Sequence, residues 1–191
     1  MAVESSNLAS AAGRKREPVC WDLLAYRNEA YERDLESVRT VVESTGFFSP
    51  VETSVAVELV GERLSKGAHS GYEFIFAELM PADGLEGPPK MLGYSCYGEI
   101  PCTAGSYSLY WIVVHQQWRG LGLGPKLMER TEKLIAQAHG RALYAETSGR
   151  AQYAPTRRFY LKTGFTLEAV FKDFYSLGDD KLVFKKLIRS S

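Results

Sequence analysis

The sequence predicts an α/β fold in which one mixed β-sheet is flanked by helices. Three observations point there. Hydrophobic periodicity gives the order strand, two helices, three strands, helix, strand, helix, two strands, and helices on the faces of a mixed sheet bury that order economically. Residues 119–125, Arg-Gly-Leu-Gly-Leu-Gly-Pro, stand between an apolar run at 109–114 and a helical pattern at 126–138. The 191 residues are enough for one domain with a full core, and no internal repeat divides them.

Residues 23–30 form the first, weak strand pattern. Residues 33–44 read as a helix with Leu35, Val38, Val41 and Val42 on one face, ended by Gly46. Ser49 and Pro50 open a second helix with Val51, Val55, Leu59 and Leu64 as its apolar stripe, stopped at Gly67. Residues 72–79, 91–99 and 106–114 are rich in the aromatic and β-branched residues that strands favour, with a Gly/Pro turn at 81–89. After the glycine turn, Leu127, Met128, Thr131, Leu134, Ile135 and Ala138 share one helix face, and Gly140 ends it. Residues 141–147 make a fifth strand, with Leu143 and Ala145 on one face and Tyr144 and Glu146 on the other. A short helix at 155–163 closes at Gly164, and 165–174 with 181–189 read as a terminal hairpin.

The charge balance excludes some partners. With 23 basic and 23 acidic residues the net charge is zero, so no basic field recommends nucleic acid. No apolar run approaches the roughly 20 residues that cross a bilayer. Cys20, Cys96 and Cys102 lack metal-ligand spacing, and an odd count argues against a disulfide framework, so a cytoplasmic location is expected. Residues 1–17 read as a disordered tail and 18–191 as the single domain. A homodimer is the base-rate expectation for assembly.

The glycine turn points to a phosphate-bearing ligand. The first amides of a helix lack internal partners, the helix dipole adds partial positive charge, and glycine lets backbone approach an anion closely. A dinucleotide fingerprint fails in both registers, since its third glycine falls on Pro125 or Leu127. The mononucleotide loop fails because Lys126 is preceded by Pro125 and followed by Leu127.

What fits is R-x-x-G-x-G at Arg119, Gly122 and Gly124, with Gln117, Gly120 and Gly122 as a second register. This loop, the preceding strand at 109–115 and the spacing Tyr160-x-x-x-Gly164-Phe165 resemble the GNAT acetyltransferase superfamily across 109–165. The downstream helix leucine favours the Arg119 register. The sequence departs from the pattern at Tyr153, Thr156 and Gln116, and Pro125 lacks an N–H that could meet the pyrophosphate.

The resemblance implies an acyl-CoA N-acyltransferase fold and acetyl transfer from acetyl-CoA to an amine, small or peptidic, in a ternary complex without a metal. It implies that Ile112, Val113, Val114, Arg119, Gly120, Leu121, Gly122, Leu123, Gly124, Pro125, Thr156, Arg157 and Tyr160 hold acetyl-CoA, with Arg158 a further phosphate candidate. Tyr160 is the acid expected to protonate the departing thiolate. Glu146 is the preferred base, as in the branch that acetylates ribosomal-protein N-termini, with Glu99 or a water chain as rivals. Phe47, Glu99, Trp111 and Tyr175, joined by Phe48, Tyr97 and Tyr110, are acceptor-pocket candidates. An acidic pocket of Glu99, Glu146 and Asp173 would suit a cationic amine. A covalent role for Cys96 or Cys102, which flank a loop, lacks a placed histidine. The alternative is a catalytically idle acyl-CoA-binding module.

Overall fold

The computed structural model describes residues 21–82 and 87–188. The expected tail at 1–17, together with Cys20, lies outside the described residues. The elements are β1 (Leu24–Arg27), α1 (Arg33–Ser44), α2 (Pro50–Lys66), β2 (Glu73–Leu79), β3 (Lys90–Glu99), β4 (Ser106–Val114), α3 (Leu123–Gln137), β5 (Ala142–Ser148), α4 (Ala154–Lys162), β6 (Thr166–Ser176) and β7 (Asp179–Leu187). The seven strands form one sheet in the order β1-β2-β3-β4-β5-β7-β6. Only β4 and β5 pair in parallel.

Period-two alternation assigns each strand residue to one of two cores. Phe74, Phe76, Tyr94 and Cys96 turn to the side of α1 and α2, where Val38, Val41, Val42, Ala56 and Val60 meet them. Ile75, Ala77, Leu92 and Leu143 turn to the side of α3, against Leu123, Leu127, Met128 and Ile135. Full burial of each such aliphatic side chain contributes about 1.5–3 kcal/mol. The buried Thr131 hydroxyl donates to Leu127 O at 2.9 Å, so Ser95 Oγ donates to Thr131 Oγ1, also at 2.9 Å. That pair ties β3 to α3 with no lost polar partner.

β1 is fixed by charge. Arg27 reaches both carboxylate oxygens of Asp34 on α1 (2.8 and 2.9 Å) and both of Glu78 on β2 (2.8 and 3.0 Å). Asp34 is fully buried, and its carboxylate is matched by this planar donor fork.

The expected stripe of α2 needs correction. Val51 and Val55 are exposed, and the buried face is Thr53, Ala56 and Val60, with Leu59 and Leu64 partly covered. α3 starts at Leu123, three residues ahead of the periodic stretch, because Gly124 and Pro125 fit its first turn. Cys96 flanks no loop: it is buried inside β3, where desolvation pushes its thiol pKa up.

β6 is the outer edge of the sheet and is exposed along nearly its whole length. Between Phe171, opposite Lys181, and Ser176, opposite Asp179, four residues of β6 face the single Asp180. The strand therefore arches, with Asp173 at φ +52. Asp180 holds the arch by accepting from Lys172 Nζ at 2.7 Å and from Asp173 N at 3.0 Å.

Ser49 caps α2 in a reciprocal box: its Oγ accepts from Glu52 N at 3.2 Å, and Glu52 Oε2 accepts from Ser49 N at 2.8 Å. Ser49→Ala should cost about 1 kcal/mol. The corresponding fall in melting temperature, about 2–4 °C for a domain of this size, is read by calorimetry.

Candidate active site

The site begins with a fault in β4. Cys96 of β3 stands opposite Trp111, but Tyr97 stands opposite Leu109, so Tyr110 is an extra residue. A single inserted residue reverses the face of everything after it. Tyr107 and Leu109 point into the α3-side core, whereas Val113 and Trp111 face the α1 and α2 side and Ile112 and Val114 pack toward α3. Parallel pairing with β5 stops at the same place, at Leu109 opposite Ala145. Beyond it β4 and β5 separate. The amides and carbonyls of β4 that would have met β5 line the resulting opening.

Two connected cavities occupy it. One, about 460 Å³, lies over the start of α3 and is lined by Gly120, Gly122, Leu123, Gly124 and Pro125, with Pro155 and Phe159 from α4. The other, about 270 Å³, lies between the ends of β4 and β5 and includes Phe47, Trp111, Glu146, Arg150, Tyr160 and Tyr175. Ile112, Val114, Arg119 and Thr156 line both, so one continuous cleft runs along β4.

The groove over α3 is shaped for an anion. Gly120 and Gly122 take φ +79 and +84, with open space where a side chain would stand. These two glycines are the Gln117 register of the motif. In the Arg119 register, Gly122 is the N-cap of α3 and Gly124 lies in its first turn, and both line the groove. Gly124 is needed for another reason: a Cβ there would come within 3.3 Å of the Phe159 ring. The first helical bond of α3 runs from Lys126 N to Gly122 O. The amides of Gly122, Leu123 and Gly124 therefore have no acceptor within the helix, and Pro125 has none to offer. With Arg119 at the junction, these residues fit a diphosphate, and the free edge of β4 fits an extended arm that hydrogen-bonds like a strand.

The inner cavity brings Tyr160 and Glu146 together. The Tyr160 ring is packed by Phe165 and Phe184, each with centroids 5.5 Å away. Burial holds its hydroxyl well above the ordinary tyrosine range, so it stays protonated. Glu146, exposed on β5, pairs with Lys181 Nζ at 2.6 Å. The Lys181 ammonium rests 4.4 Å from the centre of the Phe174 ring, on the arch of β6. That same arch brings Tyr175 to the cavity. Opposite, Phe47 lies under the Arg119 guanidinium at 4.8 Å, and Phe48 packs on Trp111 at 5.0 Å. Ser44 Oγ accepts from Gln116 N at 3.0 Å, which joins the end of α1 to the turn before α3.

Several expected site residues stand elsewhere. Glu99 pairs with Tyr107 at the start of β4. Glu99 lines neither cavity, so it is not placed as base or acceptor contact. Asp173 accepts from Gly178 N at 2.6 Å in the hairpin tip and lines neither cavity. The acidic pocket of Glu99, Glu146 and Asp173 therefore does not form. Tyr97 is buried against Tyr107. Leu121 packs on the core rather than lining the groove. Arg157 is turned to its own chain, with Nη1 donating to Ser148 O and Arg150 O at 2.9 Å each. Among the described residues, no group of three His, Cys, Asp or Glu is placed to hold a metal ion. No helix among them is long and apolar enough to cross a membrane.

The cavity also holds residues that sequence pattern did not single out. Arg150 is one, together with Asp179 behind it. Asp179 is 3% exposed. It accepts from Ser148 Oγ at 2.5 Å and from Arg150 Nε at 2.9 Å. No local spacing signals this cluster, because Asp179 is joined to the other two only by the pairing of β5 with β7.

A splayed β4 and β5, a glycine turn at the start of α3 and a buried tyrosine at the fork define a class of acyl-CoA-binding transferase fold. The comparisons place the chain within it. The acetyltransferase (GNAT) domain model matches residues 85–167. A solved structure from Desulfovibrio desulfuricans, assigned to the GNAT family of acetyltransferases, is 46% identical, covers 87% of this chain and 99% of its own, and superposes with a TM-score of 0.80. The chain belongs to the GNAT acetyltransferase family. The fold is shared more widely. The ribosomal-protein-S18-alanine N-acetyltransferase of Escherichia coli is 17% identical with a TM-score of 0.63, covering 88% of this chain and 96% of its own. The PaiA N-acetyltransferase of Thermoplasma acidophilum, solved in complex with coenzyme A, is 18% identical with a TM-score of 0.60, covering 86% and 98%. No curated protein matches the sequence.

Replacing Asp179 with alanine should destabilise the protein by about 1–3 kcal/mol, because the nearly buried Ser148 hydroxyl loses its acceptor. Asp179→Asn should recover part of the loss, since its carboxamide oxygen still accepts from Ser148. Denaturant unfolding of the two variants reads the difference.

Proposed function

We propose that this protein transfers the acetyl group of acetyl-CoA to the amine of a small acceptor within a ternary complex. One observation carries the reading: Tyr160 and Glu146 line the inner end of a cleft whose outer end is the glycine groove. The coenzyme A bound to the Thermoplasma acidophilum structure is further support, since the two share a fold.

Acetyl-CoA supplies an activated thioester. The chain supplies everything that orients it and moves protons. The amides of Gly122, Leu123 and Gly124, with Arg119, hold the diphosphate. Ile112, Val113 and Val114 offer the freed edge of β4 to the pantetheine arm, and a β4 amide polarises the carbonyl oxygen. Thr156 closes the junction of the two cavities. Glu146, which lines the cavity and pairs with Lys181, takes the proton that the acceptor ammonium must lose. As the new N–C bond forms and the C–S bond breaks, the Tyr160 hydroxyl gives its proton to the sulfur, and the proton the nitrogen sheds in becoming an amide restores it. Phe47, Trp111 and Tyr175 wall the acceptor.

Tyr160→Phe should lower kcat by about 10²-fold or more, in line with loss of an acid–base group, while coenzyme A affinity by calorimetry changes little. The pH dependence follows from the sign of the shift. Because burial raises the phenol pKa, the acid form persists above the ordinary value of about 10. The alkaline side of the wild-type kcat profile should therefore show no loss centred there. A protein that binds coenzyme A with wild-type Tyr160 yet turns over no amine would be an idle binding module.

Gly122→Val places a β-branched side chain at φ +84, a conformation such residues avoid by roughly 1–2 kcal/mol. The expected result is coenzyme A affinity about tenfold weaker or worse, measured by calorimetry.

A further inference from the structure

Resting on the acetyl-transfer reading, we infer that the acceptor is an amino acid with an apolar or aromatic side chain, and that Arg150 receives its carboxylate. Four charged side chains line the inner cavity: Glu52, Glu146, Arg119 and Arg150. Their partners decide what a substrate would meet. Glu52 is engaged by Ser49 N and Ser49 Oγ, both at 2.8 Å. Glu146 is paired with Lys181. A polycationic acceptor would meet two arginines in this cavity and, in Glu52, a carboxylate already engaged by Ser49. Arg119 sits at the coenzyme end, donating to Gln116 Oε1 at 3.0 Å and covering Phe47.

Arg150 is different. Its Nε faces Asp179 Oδ2 at 2.9 Å and Ser148 Oγ at 3.4 Å. Neither Nη group donates to a described residue, which leaves four N–H bonds on a planar fork. The Arg150 side chain is 54% exposed, while that of Asp179 behind it is nearly buried. A half-exposed ion pair adds little stability, and burying Asp179 costs desolvation. The arrangement fixes an arginine in one orientation at the wall of the cleft. That is the geometry a carboxylate needs for two parallel hydrogen bonds.

The end of β5 thus presents a proton acceptor and a carboxylate receptor to the same cavity, which suits a zwitterion. The proton acceptor Glu146 lies on β5, and Arg150 follows the end of that strand. The wall also includes Phe47, Phe48, Trp111 and Tyr175, which suit an apolar side chain. The reaction needs no additional reagent. The ammonium loses one proton to Glu146 before attack; its nitrogen loses a second as the C–S bond breaks, which restores the proton that Tyr160 gives the sulfur, and the products are an N-acetylamino acid, coenzyme A and the one proton that Glu146 passes to solvent.

The test uses the whole protein with acetyl-CoA and follows released thiol. The acceptors are L-phenylalanine, L-leucine, L-phenylalaninamide, phenethylamine and spermidine. The expected result is a kcat/KM for L-phenylalanine at least about tenfold above that for its amide and for phenethylamine. Arg150→Met should raise KM for L-phenylalanine about tenfold or more and leave the amide unchanged, and Arg150→Lys should restore part of the preference. Thermal melting of both variants shows whether the fold is retained. Equal turnover of acid and amide by the wild type overturns the inference and leaves acetyl transfer standing, as does an intact preference in a folded Arg150→Met or a preference for spermidine. Absence of turnover with every amine overturns the transferase reading and this inference together.

Discussion

The extra residue at Tyr110 is the constraint on which the site depends. A parallel pair that stayed in register would close the sheet and bury β4 amides against β5. Instead the pairing ends at Leu109 and Ala145, and the strands diverge into a cleft. The same inserted residue turns Ile112 and Val114 toward α3 and Trp111 toward α1 and α2. One local fault therefore creates the opening, frees its hydrogen-bonding edge and divides its two walls.

The rest of the fold keeps that opening in shape. α3 starts with unpartnered amides because two glycines bring the chain into it through left-handed backbone. α4 lies so close to this start that a methyl group at Gly124 would stand 3.3 Å from the Phe159 ring. The bond from Gln116 to Ser44 and the stacking of Arg119 on Phe47 join the turn before α3 to the end of α1 and the segment after it. Aromatic packing around Tyr160 fixes its ring and desolvates its hydroxyl.

Much of this was legible in the sequence. The order of elements came from periodicity alone, and the glycine turn was visible because its chemistry is local and contiguous. What local pattern could not supply was register and distance. Glu99 looked like a strand-end carboxylate near the site, but β3 and β4 are antiparallel, so the end of one lies beside the start of the other. α2 was read by its largest residues, while the face that meets α1 uses Thr53, Ala56 and Val60, small enough for close helix approach. Arg150 and Asp179 had no motif, because strand pairing alone brings them together. The arch of β6 was equally silent, since an inserted run is visible only against its partner strand.

That arch also bears on how molecules of this protein meet one another. An outermost strand with Leu167, Val170, Phe171 and Phe174 open to water is a template for unwanted cross-strand aggregation. Past Phe171 the backbone leaves the plane of the sheet, and Lys172 and Asp173 are anchored to Asp180 at the point of departure. A foreign strand laid along this border would lose its hydrogen-bonding row after a few residues. The distortion that delivers Tyr175 to the cleft thus also guards the protein's colloidal solubility.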